Sequence, residues 1–208
     1  MNLHLKNKLL LFVITLICIF LFEKAEAQPG TSWKEQDRQY LVEILSSSLD
    51  TFLQLTEHLS EERFFGIPKD NTWSVAQISE HLSQIEEGYQ REYFVAINIP
   101  PTDPTTKLKK VTDEAMLAYE ESPQKSVARG TNLPLNRYKT KDESLRILKG
   151  ARDETIRLMK EEKRDLRNVF TYRKKEGDIY EVKDIHQHFL ILVAHMKRHT
   201  TQAKRALE

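Results

Sequence analysis

Between Trp33 and Leu59 the apolar residues Tyr40, Leu41, Ile44, Leu45, Leu49, Phe52, Leu53, Leu55 and Leu59 recur at steps of three and four. That spacing puts them on one side of an amphipathic helix with a broad buried stripe. Gly66 and Pro68 then interrupt the chain. A second stripe follows a cap at Thr72 or Ser74: Val75, Ile78, Leu82, Ile85, Tyr89 and Tyr93. This helix ends before Pro100 and Pro101, which cannot continue it. Further on, "TKDE" (Thr140–Glu143) has the S/T-x-x-E form of a capping box, in which two side chains satisfy each other's orphan backbone donors. It predicts a third helix to about Arg164, with Leu145, Leu148, Ala151, Thr155, Leu158 and Met159 as its stripe. Alternation in "NVFTYRKKEGDIY" suggests a short extended turn around Gly177. A fourth helix runs from about Val182 to Leu207.

Residues 99–139 break the pattern. Pro100, Pro101, Pro104, Pro123 and Pro134 mark a long excursion with one short helix around Val111–Glu121. Such a connection is a binding loop or a plain crossover. Four amphipathic helices with one long crossover, between the second and third, predict an all-α four-helix bundle.

The first residues read differently. Lys6 and Lys8 precede the apolar run "LLLFVITLICIFLF" (Leu9–Phe22), and "AEA" (Ala25–Ala27) follows. A positive head, an apolar stretch and an A-x-A end together read as a cleaved secretory signal over residues 1–27. The alternative, an uncleaved anchor, wants about 20 apolar residues. The domain is then residues 28–208, exported to the periplasm or medium, with no stable membrane insertion after cleavage. Cys18, the only cysteine, falls inside the signal, with Ile17 where a lipoprotein would carry a small residue. The mature chain therefore has no disulfide and no cysteine nucleophile. A formal net charge of +1 over 208 residues gives no electrostatic case for a nucleic-acid partner.

Chemistry narrows to the histidines. His195 and His199, in "AHMKRHTTQ", stand one helical turn apart and offer two imidazoles on one face. H-x-x-x-H also arises by chance. His81, in "WSVAQISEHL", lies at the edge of the second stripe, where a boundary histidine bonded to a neighbour is the ordinary reading. His188 lies roughly 10 Å along the helix from His195, too far to share an ion. His188, His186 and His58 read as structural or solvated. Gly88, on the His81 face, would leave space over a metal or serve helix packing. Glu80 and Glu86 read as solvent-facing charges, so no catalytic base is assigned. There is no H-E-x-x-H, no G-x-S-x-G and no phosphate-binding glycine loop.

"TWSVAQISEHL" (Thr72–Leu82) followed far downstream by "AHMKRHTTQ" (Ala194–Gln202) resembles the DinB/YfiT-like family, over about Trp33 to Arg205. The resemblance implies an up-down-down-up four-helix bundle and a metal triad falling on His81, His195 and His199, with Gln202 at the family's glutamine position. It implies a divalent ion (zinc, nickel or iron), a small-molecule substrate and a homodimer. It offers two activities: thiol S-transfer with a low-molecular-weight thiol, or metal-dependent hydrolysis. A non-enzymatic bundle with a structural metal or a held ligand is the competing class. If the triad holds an ion, its nearest ring nitrogens should lie within about 4 Å of one another. Affinity should fall as pH drops through about 6.5, where free imidazole takes a proton. Trp73 is expected to pack at the start of the second helix.

Overall fold

Each apolar stripe becomes a long helix in the computed structural model, which describes residues 32–98, 108–118, 128, 130–174 and 180–208. The signal read at residues 1–27 lies outside them. The long helices are α1 (Glu35–Thr56), α3 (Val75–Ala96), α5 (Lys141–Glu161) and α6 (Ile185–Ala206). Short helices α2 (Glu61–Phe65) and α4 (Asp113–Leu117) sit in the connections. Strands β1 (Leu108–Lys110), β2 (Phe170–Lys174) and β3 (Tyr180–Asp184) form a small sheet in the order β1-β3-β2. The β2–β3 pair is antiparallel, with the turn expected around Gly177 lying outside the described residues, and β1 adds in parallel from the long crossover. No helix among the described residues is long and apolar enough to cross a membrane.

The helix starts follow local hydrogen bonding. Ser74, not Thr72, caps α3: its Oγ accepts from Gln77 N at 3.2 Å, and Gln77 Oε1 accepts from Ser74 N at 3.0 Å. Thr72 is occupied elsewhere, donating its hydroxyl to Asp70 Oδ1 at 2.8 Å. At α5 Thr140 caps as expected, accepting from Glu143 N at 3.1 Å. The return half of that box is displaced, since Glu143 accepts from Lys139 N at 2.9 Å. Helix α6 begins after Asp184, which exchanges capping hydrogen bonds with Gln187. That is later than the expected Val182, because Val182 belongs to β3 and pairs with Tyr172.

Contacts between helix ends fix the topology. Arg38 near the start of α1 donates to Met159 O near the end of α5, so these two run antiparallel. Ser79 with Ser144, and Tyr93 with Glu162, align α3 parallel to α5. His81 with His195, and Tyr89 with His188, set α3 antiparallel to α6. Trp33 donates to His186 where α1 and α6 both begin. The bundle is therefore up-down-down-up.

Its interior holds two apolar clusters. One contains Leu41, Leu45, Tyr93 and Phe189, the other Phe52, Ile78, Leu148 and Met196. Arg152 lies between them, fully buried. Its Nε donates to Glu86 Oε1 at 2.7 Å, its Nη1 to Leu45 O and Ser48 Oγ, and its Nη2 to Leu192 O. Thr155 donates to the other Glu86 oxygen at 2.8 Å. All four long helices meet at this one guanidinium. Glu86 is thus not a solvent-facing charge; it occupies the α3 stripe with Leu82 and Tyr93 and is tolerated there because every oxygen is paired. Conversely Tyr40, counted in the first stripe, is 46% exposed.

Candidate metal centre

Helix α3 supplies His81, and one turn of α6 supplies His195 and His199. The antiparallel packing of α3 on α6 brings all three rings together. Their ligand nitrogens lie within 4.8 Å of one another, and this is the group among the described residues able to hold a metal ion. His81 Nε2 and His195 Nε2 are 3.0 Å apart. Ligands at ~2.1 Å from one ion stand ~3.4 Å apart in a tetrahedral site and at most ~4.2 Å apart. The spread of up to 4.8 Å is wider than the ~4 Å expected, and the rings must draw together to close on an ion.

Neighbouring groups decide which nitrogen of each ring is available. His81 Nδ1 is 2.7 Å from the backbone carbonyl of Asn132. A carbonyl only accepts, so the proton sits on Nδ1 and the lone pair on Nε2. His199 Nδ1 is 2.8 Å from Gln202 Oε1, which by the same argument leaves Nε2 of His199 unprotonated. The His81 lone pair faces His195 Nε2, where a shared proton or a shared cation satisfies it. Fixing the far nitrogen to a backbone or amide oxygen is how proteins orient metal-binding imidazoles.

Burial lowers all three histidines below the ordinary imidazole value. For His81 the hydrogen bond to Asn132 opposes that effect in part. His195 is pushed well below the usual value by burial and then by its two histidine neighbours. His199 is brought down to about 3, by burial and then by His81. Neutral imidazole is the form that binds metal. The pH expectation therefore moves: proton competition at these buried rings sets in below the ~6.5 of free histidine.

Trp73 is half-buried rather than a full core residue. Its ring centroid lies 5.0 Å from that of His81 and 6.2 Å from that of His199, nearly parallel to the latter. It joins the Phe52–Ile78 cluster to the histidines. Gly88 performs neither expected role. A Cβ there would meet only Arg91 Nη2, at 3.9 Å, so the glycine admits no close helix and stands beside no ring of the triad.

Glu80, read as a solvent-facing charge, is 2% exposed. Residues 130–138 of the crossover run over the outer face of α3, and Arg137 Nε donates to Glu80 Oε1 at 2.8 Å. Sequence reasoning missed this strap, and with it Asn132. No local pattern ties residue 132 to residue 81; the contact is made by a backbone carbonyl, for which side-chain identity carries no signal.

His188 and His186 are both buried, and neither joins the cluster. His188 Nε2 donates to Tyr89 O at 3.1 Å, and His186 Nδ1 accepts from Trp33 Nε1 at 3.0 Å. His58 is exposed.

A family model, the DinB superfamily, matches residues 44–203, from within α1 to the last turn of α6, and so takes in all three histidines. No curated protein matches the chain, and no solved structure does. With the match covering most of its length and the bundle topology agreeing, the chain belongs to the DinB superfamily.

Proposed function

We propose that this chain is an exported DinB-like metalloprotein in which His81, His195 and His199 hold a divalent ion (zinc, nickel or iron) that activates a small thiol, or water, toward a small-molecule substrate. The observation that carries this reading is the convergence of three neutral imidazoles with no carboxylate in the cluster. Such a donor set leaves the ion's charge uncompensated and at least one coordination position open. When bound, the ion supplies Lewis acidity, lowering the pKa of a thiol or water that joins it and polarising a carbonyl.

The residues around the site favour the thiol. Glu80 and Glu86, the acidic residues nearest His81 in sequence, are engaged by Arg137 and Arg152, and neither joins the cluster. A thiol ionises near pH ~8.5 unaided and needs less help than water, at ~15.7. The thiol comes with a cofactor or substrate, because the chain's one cysteine, Cys18, precedes the proposed cleavage site.

The test is a thiol titration of the cobalt-substituted protein. A low-molecular-weight thiol should change the visible absorption of the ion by entering the open position. A spectrum that stays fixed, together with a lower melting temperature on metal removal, would assign the ion a structural role instead. Export is checked by the mass of the protein recovered outside the cytoplasm, which should begin at Gln28.

A further inference from the structure

The strap over α3 is held by three side chains from about one turn of that helix, Glu80, Ser83 and Gln84, that the chemistry above does not use. Glu80 takes Arg137 twice, at 2.8 Å from Nε and 3.4 Å from the backbone N–H. The hydrogen-bond network orients the Gln84 amide so that its nitrogen donates to Thr131 O and Leu133 O, both at 3.2 Å, and its oxygen accepts from Arg137 Nη2 at 3.0 Å. Ser83 Oγ lies 3.4 Å from Tyr138 OH. Gln84 thus grips the carbonyls on either side of Asn132, and the Asn132 carbonyl is the one that meets His81 Nδ1 at 2.7 Å.

We propose that Glu80 and Gln84 are positioning residues: they clamp the 130–138 strap so that the Asn132 carbonyl holds His81 as the Nδ1–H tautomer, with its Nε2 lone pair aimed at His195 and His199. A free imidazole carries its proton on either nitrogen, and only the Nδ1–H form presents Nε2 as a ligand. The clamp surrounds one specific carbonyl on both sides. A staple that merely tied down the crossover would not need to. Glu80 is buried while the Arg137 side chain is 47% exposed, so the anchor belongs to the helix and the strap comes to it. The purpose of this arrangement rests on the metal reading given above; the tautomer itself does not.

Ring nitrogen NMR of the metal-free protein reads the tautomer of His81 directly, and competition with a chelator reads the zinc Kd. In the native protein His81 should be Nδ1–H. Glu80→Ala should add a population of the Nε2–H form and raise the zinc Kd about 10–100-fold, the usual effect of losing an outer-shell partner. Glu80→Gln keeps an acceptor for Arg137 and should restore the native tautomer. Glu154→Gln, which removes an exposed pair with Arg157 on α5, should change neither readout. Gln84→Met removes the grip on Thr131 and Leu133 without removing a charge, and it decides by the same two measurements if Glu80→Ala does not fold. A native His81 tautomer and native zinc Kd in the folded variants would overturn the proposal. Failure of the native protein to bind zinc, with the tautomer still shifting in Glu80→Ala, would instead remove the metal reading and leave the clamp standing.

Discussion

Helix α6 carries four histidines in two pairs, and the pairs have opposite fates. At its start His186 and His188 are wired into the protein. His186 accepts from the Trp33 indole, while His188 donates to Tyr89 O and stacks on the Tyr89 ring with centroids 4.3 Å apart. Their remaining nitrogens lie 3.8 Å from Asp113 and Glu92. Near its end His195 and His199 face His81 and one another, and the oxygens that meet His81 and His199 take Nδ1. Burial is similar in kind at both places. What differs is where the partners attach: partners on the far nitrogens leave a set of lone pairs converging on one point, whereas partners on both sides leave a structural histidine.

The Arg152 layer separates these regions, and breaking it should have the largest effect. Glu86→Ala leaves a fully buried guanidinium without its anion, and the expected loss is about 3–5 kcal/mol by urea unfolding. The wired pair should show itself next, through acid. Burial holds His186 and His188 at about 4 in the folded protein. The unfolded chain titrates near ~6.5 and takes up protons first as pH falls. Stability is therefore whole above ~6.5 and is lost as pH drops through about 4, on the order of 3 kcal/mol for each ring. His188→Leu should flatten that pH dependence in the metal-free protein. Saturating zinc should convert the share of His81, His195 and His199 into metal release.

Smaller effects sharpen the other region. Trp73→Ala should lose roughly 1.5–2.5 kcal/mol, less than a buried tryptophan, because its ring is half-exposed. It should also shift the cobalt spectrum, since the ring rests on His81 and His199. Gly88→Ala should raise stability by about 0.5–1 kcal/mol through helix propensity, the added methyl meeting only Arg91 at 3.9 Å. The melting temperature checks both.

The four long helices were legible because burial on one side imposes a three-and-four spacing, which Leu41, Leu45, Leu49 and Phe52 obey to the residue. His195 and His199 were legible as a pair one turn apart, whereas His81, by position alone a boundary histidine, joined them only through the resemblance of "TWSVAQISEHL" to the DinB/YfiT-like family. The Glu86–Arg152 pair left a trace that a closer reading finds: both residues occupy stripe positions, between Leu82 and Tyr89 and between Leu148 and Thr155. A charge on an apolar stripe announces a buried partner. Glu80 left no such trace. Its face of α3 is polar and would be solvated but for residues 130–138, which arrive from about fifty positions away and contact it through Arg137. The parallel addition of β1 to β3 is likewise nonlocal. Local periodicity reports what a helix buries against its neighbours in the bundle; it does not report what a connection later lays over it.

The central claim is that one pair of histidines on α6 binds metal with His81 and the other does not. Zinc stoichiometry of purified, dialysed protein tests it most directly, comparing native, His195→Ala/His199→Ala and His188→Ala chains. One ion per native chain, none in the double variant and one in His188→Ala is the expected result. Full retention of zinc by the double variant, or its loss in a folded His188→Ala, would contradict the account.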